Sequence, residues 1–121
     1  MPKKILLIDD EELIIRSVKK LLEKNGFMVI TAKTGRDALR MAKEDTFDLI
    51  IADIRMPGIN GVDTISSILK DDKFGNIPVI FITGYADPEI KRRAEELKPV
   101  AYIYKPFDMS ELIDKVKGAV I

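Results

Sequence analysis

Five short apolar runs, spaced along the chain, limit the folds that this sequence can adopt. They cover Lys4 to Ile8, Met28 to Ala32, Leu49 to Ala52, Val79 to Ile82 and Ala101 to Tyr104. The runs are rich in Ile, Val and aromatic residues, and three of them are nearly continuous rather than alternating. Continuous apolar runs of this length are typical of strands covered on both faces, as in a parallel sheet between layers of helices.

Each run is followed by a segment with helical spacing. Asn25-Gly26 predicts the end of a first helix, Thr34 a cap for a second, and Asp87-Pro88 the start of a fourth. Similar spacing predicts a third helix around Ile65 and a fifth after Asp108. Strand and helix alternate five times in 121 residues, which predicts one α/β domain over residues 1–121 with right-handed crossovers.

The composition excludes several kinds of site. Lys and Arg together number 20, Asp and Glu also number 20, and the chain contains neither Cys nor His. A balanced charge argues against direct nucleic-acid binding. Without Cys or His, any metal must be a hard cation held by oxygen atoms. No apolar run is long enough for a bilayer, and the one after Lys4 is too short for a signal peptide, so we expect a cytoplasmic protein.

Polar residues follow four of the predicted strands. The acids Asp9, Asp10, Glu11 and Glu12 come after the first, Asp53 after the third, Thr83 after the fourth and Lys105 after the fifth. Ligands of open parallel sheets lie at the carboxyl ends of the strands. Topology therefore predicts that these acids, one hydroxyl and one ammonium group converge at one edge of the sheet.

Clustered carboxylates repel one another, by about 4 kcal/mol at 4 Å and an effective dielectric near 20. They must raise a pKa, recruit a cation, or both. Mg²⁺, or Mn²⁺, is the natural choice for an oxygen-only site. The alternative is that Asp9 and Asp10 only cap the first helix.

Asp53 has two interpretations as well. It is either a loop residue that stabilises a turn before Pro57-Gly58, or a carboxylate nucleophile that forms an acyl phosphate. Taken alone, Thr83 is interpreted as an ordinary strand residue and Lys105 as a solvated lysine. Lys105-Pro106 also offers a site for a cis peptide bond.

Four groups of residues, in this order and spacing, carry a resemblance to a known family. They are Ile8-Asp9-Asp10-Glu11, Asp53-Ile54-Arg55-Met56-Pro57-Gly58 with Asn60-Gly61, Ile82-Thr83-Gly84, and Tyr104-Lys105-Pro106-Phe107. They resemble the receiver domain of two-component response regulators, over essentially the whole chain. The resemblance implies a flavodoxin-like, doubly wound sheet with strand order 2-1-3-4-5 and five helices on two faces.

The resemblance also implies a role for each residue of the cluster. Asp53 would be the phosphoacceptor, and Lys105 would pair with a phosphoryl oxygen. Asp10 and Asp53 would ligate Mg²⁺ directly, Asp9 mainly through water, and the backbone carbonyl of Arg55 would supply a further ligand.

A conformational switch is implied in the same way. Thr83 would move to hydrogen-bond the phosphoryl group, and Tyr102 would rotate into the space that Thr83 leaves. Arg55 and Tyr85 lie at positions that influence how long the phosphoryl group survives, and we expect slow to moderate self-dephosphorylation.

The implied phosphodonor is a sensor histidine kinase or a histidine phosphotransfer protein. The output surface would be the fourth helix, fifth strand and fifth helix, which would contact an effector domain, a downstream protein or a second phosphorylated copy. The chain would not be an enzyme beyond promoting its own phosphorylation and dephosphorylation.

Other classes stay open at this point. The main alternative is a receiver-like binding module that does not use phosphorylation. An aspartate-nucleophile phosphatase usually has a second Asp two residues after the nucleophile, where this chain has Arg55. A nucleotide-binding sheet would need a glycine-rich loop after the first strand, where Asp9 and the acids after it lie instead.

Overall fold

The computed structural model describes residues 2–84 and 87–120 of the chain. Strands and helices alternate throughout, as the sequence predicts. The strands are β1 (Lys4–Ile8), β2 (Met28–Ala32), β3 (Leu49–Asp53), β4 (Val79–Thr83) and β5 (Ala101–Tyr104). The helices are α1 (Glu12–Lys24), α2 (Gly35–Glu44), α3 (Gly61–Leu69), α4 (Pro88–Glu96) and α5 (Met109–Val120), with a 3₁₀ turn at Asp72–Phe74.

All five strands pair in parallel, in the order β2-β1-β3-β4-β5. This confirms the predicted fold class and strand order. β3 and β4 each extend one residue beyond the predicted runs, because Asp53 pairs in register with Ile82 and Thr83 with Tyr104. The two polar side chains therefore belong to the strand ends rather than to the loops that follow.

The sheet is covered on both faces, which explains why its central strands are continuously apolar. Every residue of β3 and β4 is buried. Alternate residues of β1 face opposite layers: Leu6 packs with the side chains of α2 and α3, and Leu7 with those of α1 and α5. Burial on both faces stabilises each of these side chains by about 1.5–3 kcal/mol.

Several helix ends follow the local signals in the sequence. Thr34 accepts a hydrogen bond from the backbone N–H of Asp37, and Asp87 caps α4 with Pro88 at its first position. Asn25 ends α1, and Gly26 follows it with φ +89°, a left-handed conformation that glycine adopts without strain.

Burial differs between the helices. Of the residues in α4, Ala94 is fully buried, whereas Ile90 packs only in part against the core. α1 buries Ile15, Val18 and Leu22. Among the described residues, no helix has the length and apolar character needed to cross a bilayer.

Candidate functional site

The ends of three strands bring a set of carboxylates together with one lysine. Asp9 and Asp10 follow β1, Asp53 is the last residue of β3, and Lys105 follows β5. One carboxylate oxygen from each of the three aspartates lies within 4.8 Å of the others. β1 and β3 are neighbours in a parallel sheet, so their carboxyl ends lie side by side. The four side chains therefore occupy one edge of the sheet.

Two of the aspartates are buried and held by backbone amides. Asp9 is fully buried and Asp53 is 3% exposed, whereas Asp10 is exposed. Oδ1 of Asp9 accepts from the N–H of Glu11 at 2.9 Å, and Oδ1 of Asp53 accepts from the N–H of Arg55 at 3.2 Å. The N-cap residue of α1 is Glu11, whose side chain makes no capping hydrogen bond.

Lys105 places its ammonium group among the carboxylates. Its Nζ lies 3.0 Å from Oδ2 of Asp9, 3.1 Å from Oδ2 of Asp53 and 2.7 Å from Oε1 of Glu11. The contacts with Asp53 and Glu11 are hydrogen bonds. The peptide bond between Lys105 and Pro106 is cis, which confirms the expectation from the sequence.

Burial and like charge alter the titration of this cluster. The pKa of Asp53 is raised to about 6, mainly by burial and further by the negative charge of Asp9, while Lys105 opposes the rise. Burial also raises the pKa of Asp9, against the hydrogen bond from Glu11 and the contacts with Lys105. Burial lowers the pKa of Lys105, but its contacts with Glu11, Asp9 and Asp53 outweigh that effect and raise it. One ammonium group thus compensates the buried carboxylates incompletely.

The residues fit a hard divalent cation. Oδ2 of Asp9 is buried and makes no hydrogen bond with any described residue, although it forms the ion pair with Lys105. A buried, unsatisfied carboxylate oxygen is costly unless a further positive charge meets it. Three carboxylates with no nitrogen or sulfur ligand suit Mg²⁺ or Mn²⁺.

A cleft of about 270 Å³ opens next to Asp53. Glu11, Asp53, Arg55, Gly84 and Lys105 line it. Its size exceeds what one bound water requires and leaves room for a group as large as a phosphoryl. The exposed Arg55 side chain stands at this cleft, while Tyr85 lies outside the described residues.

Thr83 and Tyr102 lie on the adjacent strands. Thr83 is fully buried at the end of β4, and its carbonyl accepts from the N–H of Lys105 at 2.8 Å. Tyr102 lies on β5, partly buried, with its ring centre 6.5 Å from that of Phe81. The Tyr102 hydroxyl is buried without a hydrogen-bond partner among the described residues.

Gly61 supports the Asp53 backbone from the first turn of α3. Its N–H donates to the carbonyl of Ile54 at 2.7 Å. A Cβ atom at Gly61 would lie 2.0 Å from the carbonyl oxygen of Asp53, closer than any side chain permits. The sequence shows Gly61 only as part of a motif, because close packing of two backbones leaves no local pattern.

The contact made by Glu11 was not predicted from the sequence, where Glu11 is one of four consecutive acids after the first strand. Its contact with Lys105 joins residues 94 positions apart. A possible signal was its place directly after Asp9 and Asp10 at the end of β1, on the edge where Lys105 was predicted to lie.

Comparisons with known proteins agree with this architecture. The profile of the response regulator receiver domain matches residues 5–117. The polar-differentiation response regulator DivK of Brucella anthropi is 32% identical over 118 residues, which span 98% of this chain and 96% of DivK. The transcriptional regulatory protein CrdR of Helicobacter pylori is 36% identical over 117 residues. That match covers 97% of this chain but 54% of CrdR, so the chain spans about half of that relative.

Solved structures give the same result. The chemotaxis protein CheY4 of Vibrio cholerae superimposes with a TM-score of 0.91 at 28% identity, covering 98% of this chain and 99% of CheY4. A CheY-like receiver domain protein of Methanospirillum hungatei gives a TM-score of 0.93 at 30% identity, covering 99% of this chain and 94% of that one. Matched in sequence from residue 5 to residue 117 and in the course of its backbone, the chain belongs to the response regulator receiver domain family.

Proposed function

We propose that the chain is a phosphorylation-activated switch of a two-component system and that Asp53 accepts the phosphoryl group. One observation carries the proposal. The carboxylate of Asp53 is buried at a strand end, opens on a cleft and lies 3.1 Å from the ammonium group of Lys105. A buried carboxylate with a raised pKa, a cation partner and access to a cavity is a candidate nucleophile.

The proposed step moves one phosphoryl group. A carboxylate oxygen of Asp53 forms a bond to phosphorus as the bond between phosphorus and the donor's imidazole nitrogen breaks, and the electron pair stays on that nitrogen. The donor is a phosphohistidine on a sensor kinase or phosphotransfer protein. Asp53 becomes an acyl phosphate, and the Lys105 ammonium neutralises part of the charge on the phosphoryl oxygens.

Asp9, Asp10, Asp53 and the backbone carbonyl of Arg55 are the proposed ligands of Mg²⁺. When bound, the ion supplies positive charge that stabilises the phosphoryl oxygens during transfer. The Arg55 N–H keeps Asp53 oriented, and the Glu11 N–H does the same for Asp9.

Phosphorylation would be read out through Thr83 and Tyr102. The modified side chain carries a charge near −2 and new acceptor oxygens. The Thr83 hydroxyl would gain a hydrogen bond that exists only in that state, and Tyr102 would rotate toward the space that Thr83 vacates. Moving a switch from 1% to 99% active takes about 5.5 kcal/mol, which two or three charge-assisted hydrogen bonds of about 1.5–3 kcal/mol each can supply.

The surface formed by α4, β5 and α5 is the proposed output face. An effector domain, a downstream protein or a second phosphorylated copy would bind there. Arg55 and Tyr85 are proposed to set the lifetime of the phosphoryl group. The chain would promote only its own phosphorylation and dephosphorylation, and its cytoplasmic location stays a prediction.

Treatment with acetyl phosphate and Mg²⁺ tests the proposal directly. Intact-mass measurement should find the wild-type chain heavier by one phosphoryl group. Asp53→Asn should gain nothing, and neither should the wild type without a divalent ion. A wild-type chain whose mass does not change would favour a binding module that works without phosphorylation.

A further inference from the structure

Lys105 makes one more carboxylate contact than the proposed chemistry needs. An ammonium group has three donors, and its Nζ lies within 2.7–3.1 Å of Asp9, Glu11 and Asp53. The shortest of the three distances is to Glu11, at 2.7 Å. A phosphoryl oxygen arriving at Lys105 therefore meets an ammonium group that three carboxylates already surround.

The three carboxylates differ in their freedom to leave. The Asp9 side chain is fully buried and that of Asp53 is 4% exposed, and each is fixed by a backbone N–H on its other oxygen. The Glu11 side chain is 57% exposed and makes no capping bond to α1. If the Glu11 side chain rotates outward, water can solvate its carboxylate. Glu11 is therefore the ion-pair partner of Lys105 that is easiest to displace.

Glu11 also lies on the path of an incoming anion. It lines the cleft of about 270 Å³ together with Asp53, Gly84 and Lys105. A phosphodonor or phosphoryl group entering this cleft encounters the negative charge of Glu11 beside the ammonium group that it must reach.

We propose that Glu11 is a displaceable positioning residue: it holds Lys105 over Asp53 in the unmodified chain and yields its place to a phosphoryl oxygen. The inference rests on the proposed function of Asp53. No covalent bond changes in this exchange, because one oxygen acceptor on Lys105 replaces another. Glu11 accordingly competes with the phosphoryl group for the same donor.

Trifluoroberyllate, a non-covalent phosphoryl analogue, tests the exchange in the presence of Mg²⁺. Glu11→Gln keeps the shape and an acceptor oxygen but removes the charge. It should bind the analogue about two- to fivefold more tightly than the wild type, the range expected for loss of one ion pair whose acidic partner is exposed. Phosphorylation by acetyl phosphate should become faster by a similar factor.

A matched variant separates this contact from general charge effects. Glu12→Gln removes the same charge one residue later, from a side chain that pairs with Lys33, and should bind the analogue like the wild type. Glu11→Asp keeps the charge but shortens the side chain, so its affinity for the analogue should lie between those of the wild type and Glu11→Gln.

The NMR signal of the Lys105 ammonium group gives a readout that does not depend on phosphoryl transfer. In the unmodified chain this signal should shift in Glu11→Gln and stay in place in Glu12→Gln. Equal affinity of wild type and Glu11→Gln for trifluoroberyllate, or weaker binding by the variant, would overturn the role of Glu11. A wild type that takes up neither trifluoroberyllate nor a phosphoryl group would instead overturn the proposed function of Asp53.

Discussion

The ammonium group of Lys91, on α4, lies 5.5 Å from the centre of the Tyr102 ring on β5. The same group lies 5.5 Å from the ring centre of Tyr104. The two rings are themselves 5.2 Å apart, so one cation bridges a pair of aromatic residues between helix and strand. The contact with Tyr104 raises the pKa of Lys91, and the bridge stays cationic at neutral pH.

Lys91→Met should remove the contact between the ammonium group and the Tyr102 ring. The substitution keeps an unbranched apolar side chain but removes the charge that attracts the two rings. The ring-proton NMR signals of Tyr102 and Tyr104 are expected to shift, whereas Lys91→Arg should largely preserve them. Arg92→Met is the control, because Arg92 pairs with Glu89 and Glu96 on the same helix. Identical shifts in both methionine variants would argue against the bridge.

Asp53→Asn should stabilise the metal-free chain above neutral pH. The pKa of Asp53 is raised from 3.8 to about 6 by burial and by the charge of Asp9. Between these two values the folded chain holds a proton that the unfolded chain has lost, so stability falls as pH rises through that window. At about pH 8 the variant should gain about 1–3 kcal/mol in urea unfolding.

The gain should shrink as the pH falls from about 6 and should be lost below 3.8, where Asp53 carries the proton in both states of the wild type. Asp114→Asn, the same substitution at an exposed site on α5, should change stability by less than about 0.5 kcal/mol at either pH. Added Mg²⁺ should stabilise the wild type more than Asp53→Asn, because binding to the folded state alone raises stability. A gain for Asp53→Asn that is independent of pH would contradict this account.

Gly61→Ala should destabilise the fold at the point where α3 meets the end of β3. The added Cβ would fall 2.0 Å from the carbonyl oxygen of Asp53, and backbone must shift to admit it. Overpacking of this kind costs about 1–3 kcal/mol. Gly118→Ala on α5 is the matched control, since its added methyl group would meet no atom of the described residues within 4 Å, and it should be neutral or slightly stabilising. Equal urea midpoints for the two variants would show that α3 adjusts without strain.

Thr83→Ala should separate acceptance of the phosphoryl group from its readout. Asp53 and Lys105 remain, so intact mass should still increase with acetyl phosphate. The NMR change at Tyr102 on phosphorylation should be lost, because the hydroxyl that would follow the phosphoryl group is absent. Thr31→Ala, on β2, should keep both responses. Full retention of the Tyr102 change in Thr83→Ala would remove Thr83 from the proposed switch.

The sequence predicted those parts of the fold that depend on local chemistry. Thr34 and Asp87 mark helix starts because their side chains bond amides two or three residues ahead. Asn25-Gly26 marks a helix end for a similarly local reason. The strand ends were predicted one residue short, since polarity was taken as the limit of β3 and β4. Backbone pairing continues through Asp53 and Thr83 regardless of side-chain polarity.

The candidate site was predicted from the sequence only as far as topology and the family resemblance allow. Parallel strands place Asp9, Asp53 and Lys105 at one edge of the sheet. The contact of Glu11 with Lys105 and the packing of Gly61 on Asp53 depend on side-chain reach and on the distance between two backbones. Neither quantity has a period or a motif, so only coordinates reveal it. The 3₁₀ turn that buries Phe74 was also not predicted from the sequence.

The small buried surface of α4 has a consequence for its local unfolding. Ala94 is the one fully buried residue among those described in this helix. Local unfolding of α4 should therefore need less free energy than that of α1, while the sheet stays intact. Its amide protons should exchange with deuterium well before those of α1. A helix with so little buried surface should change its position for a smaller change in free energy than a deeply buried helix would require.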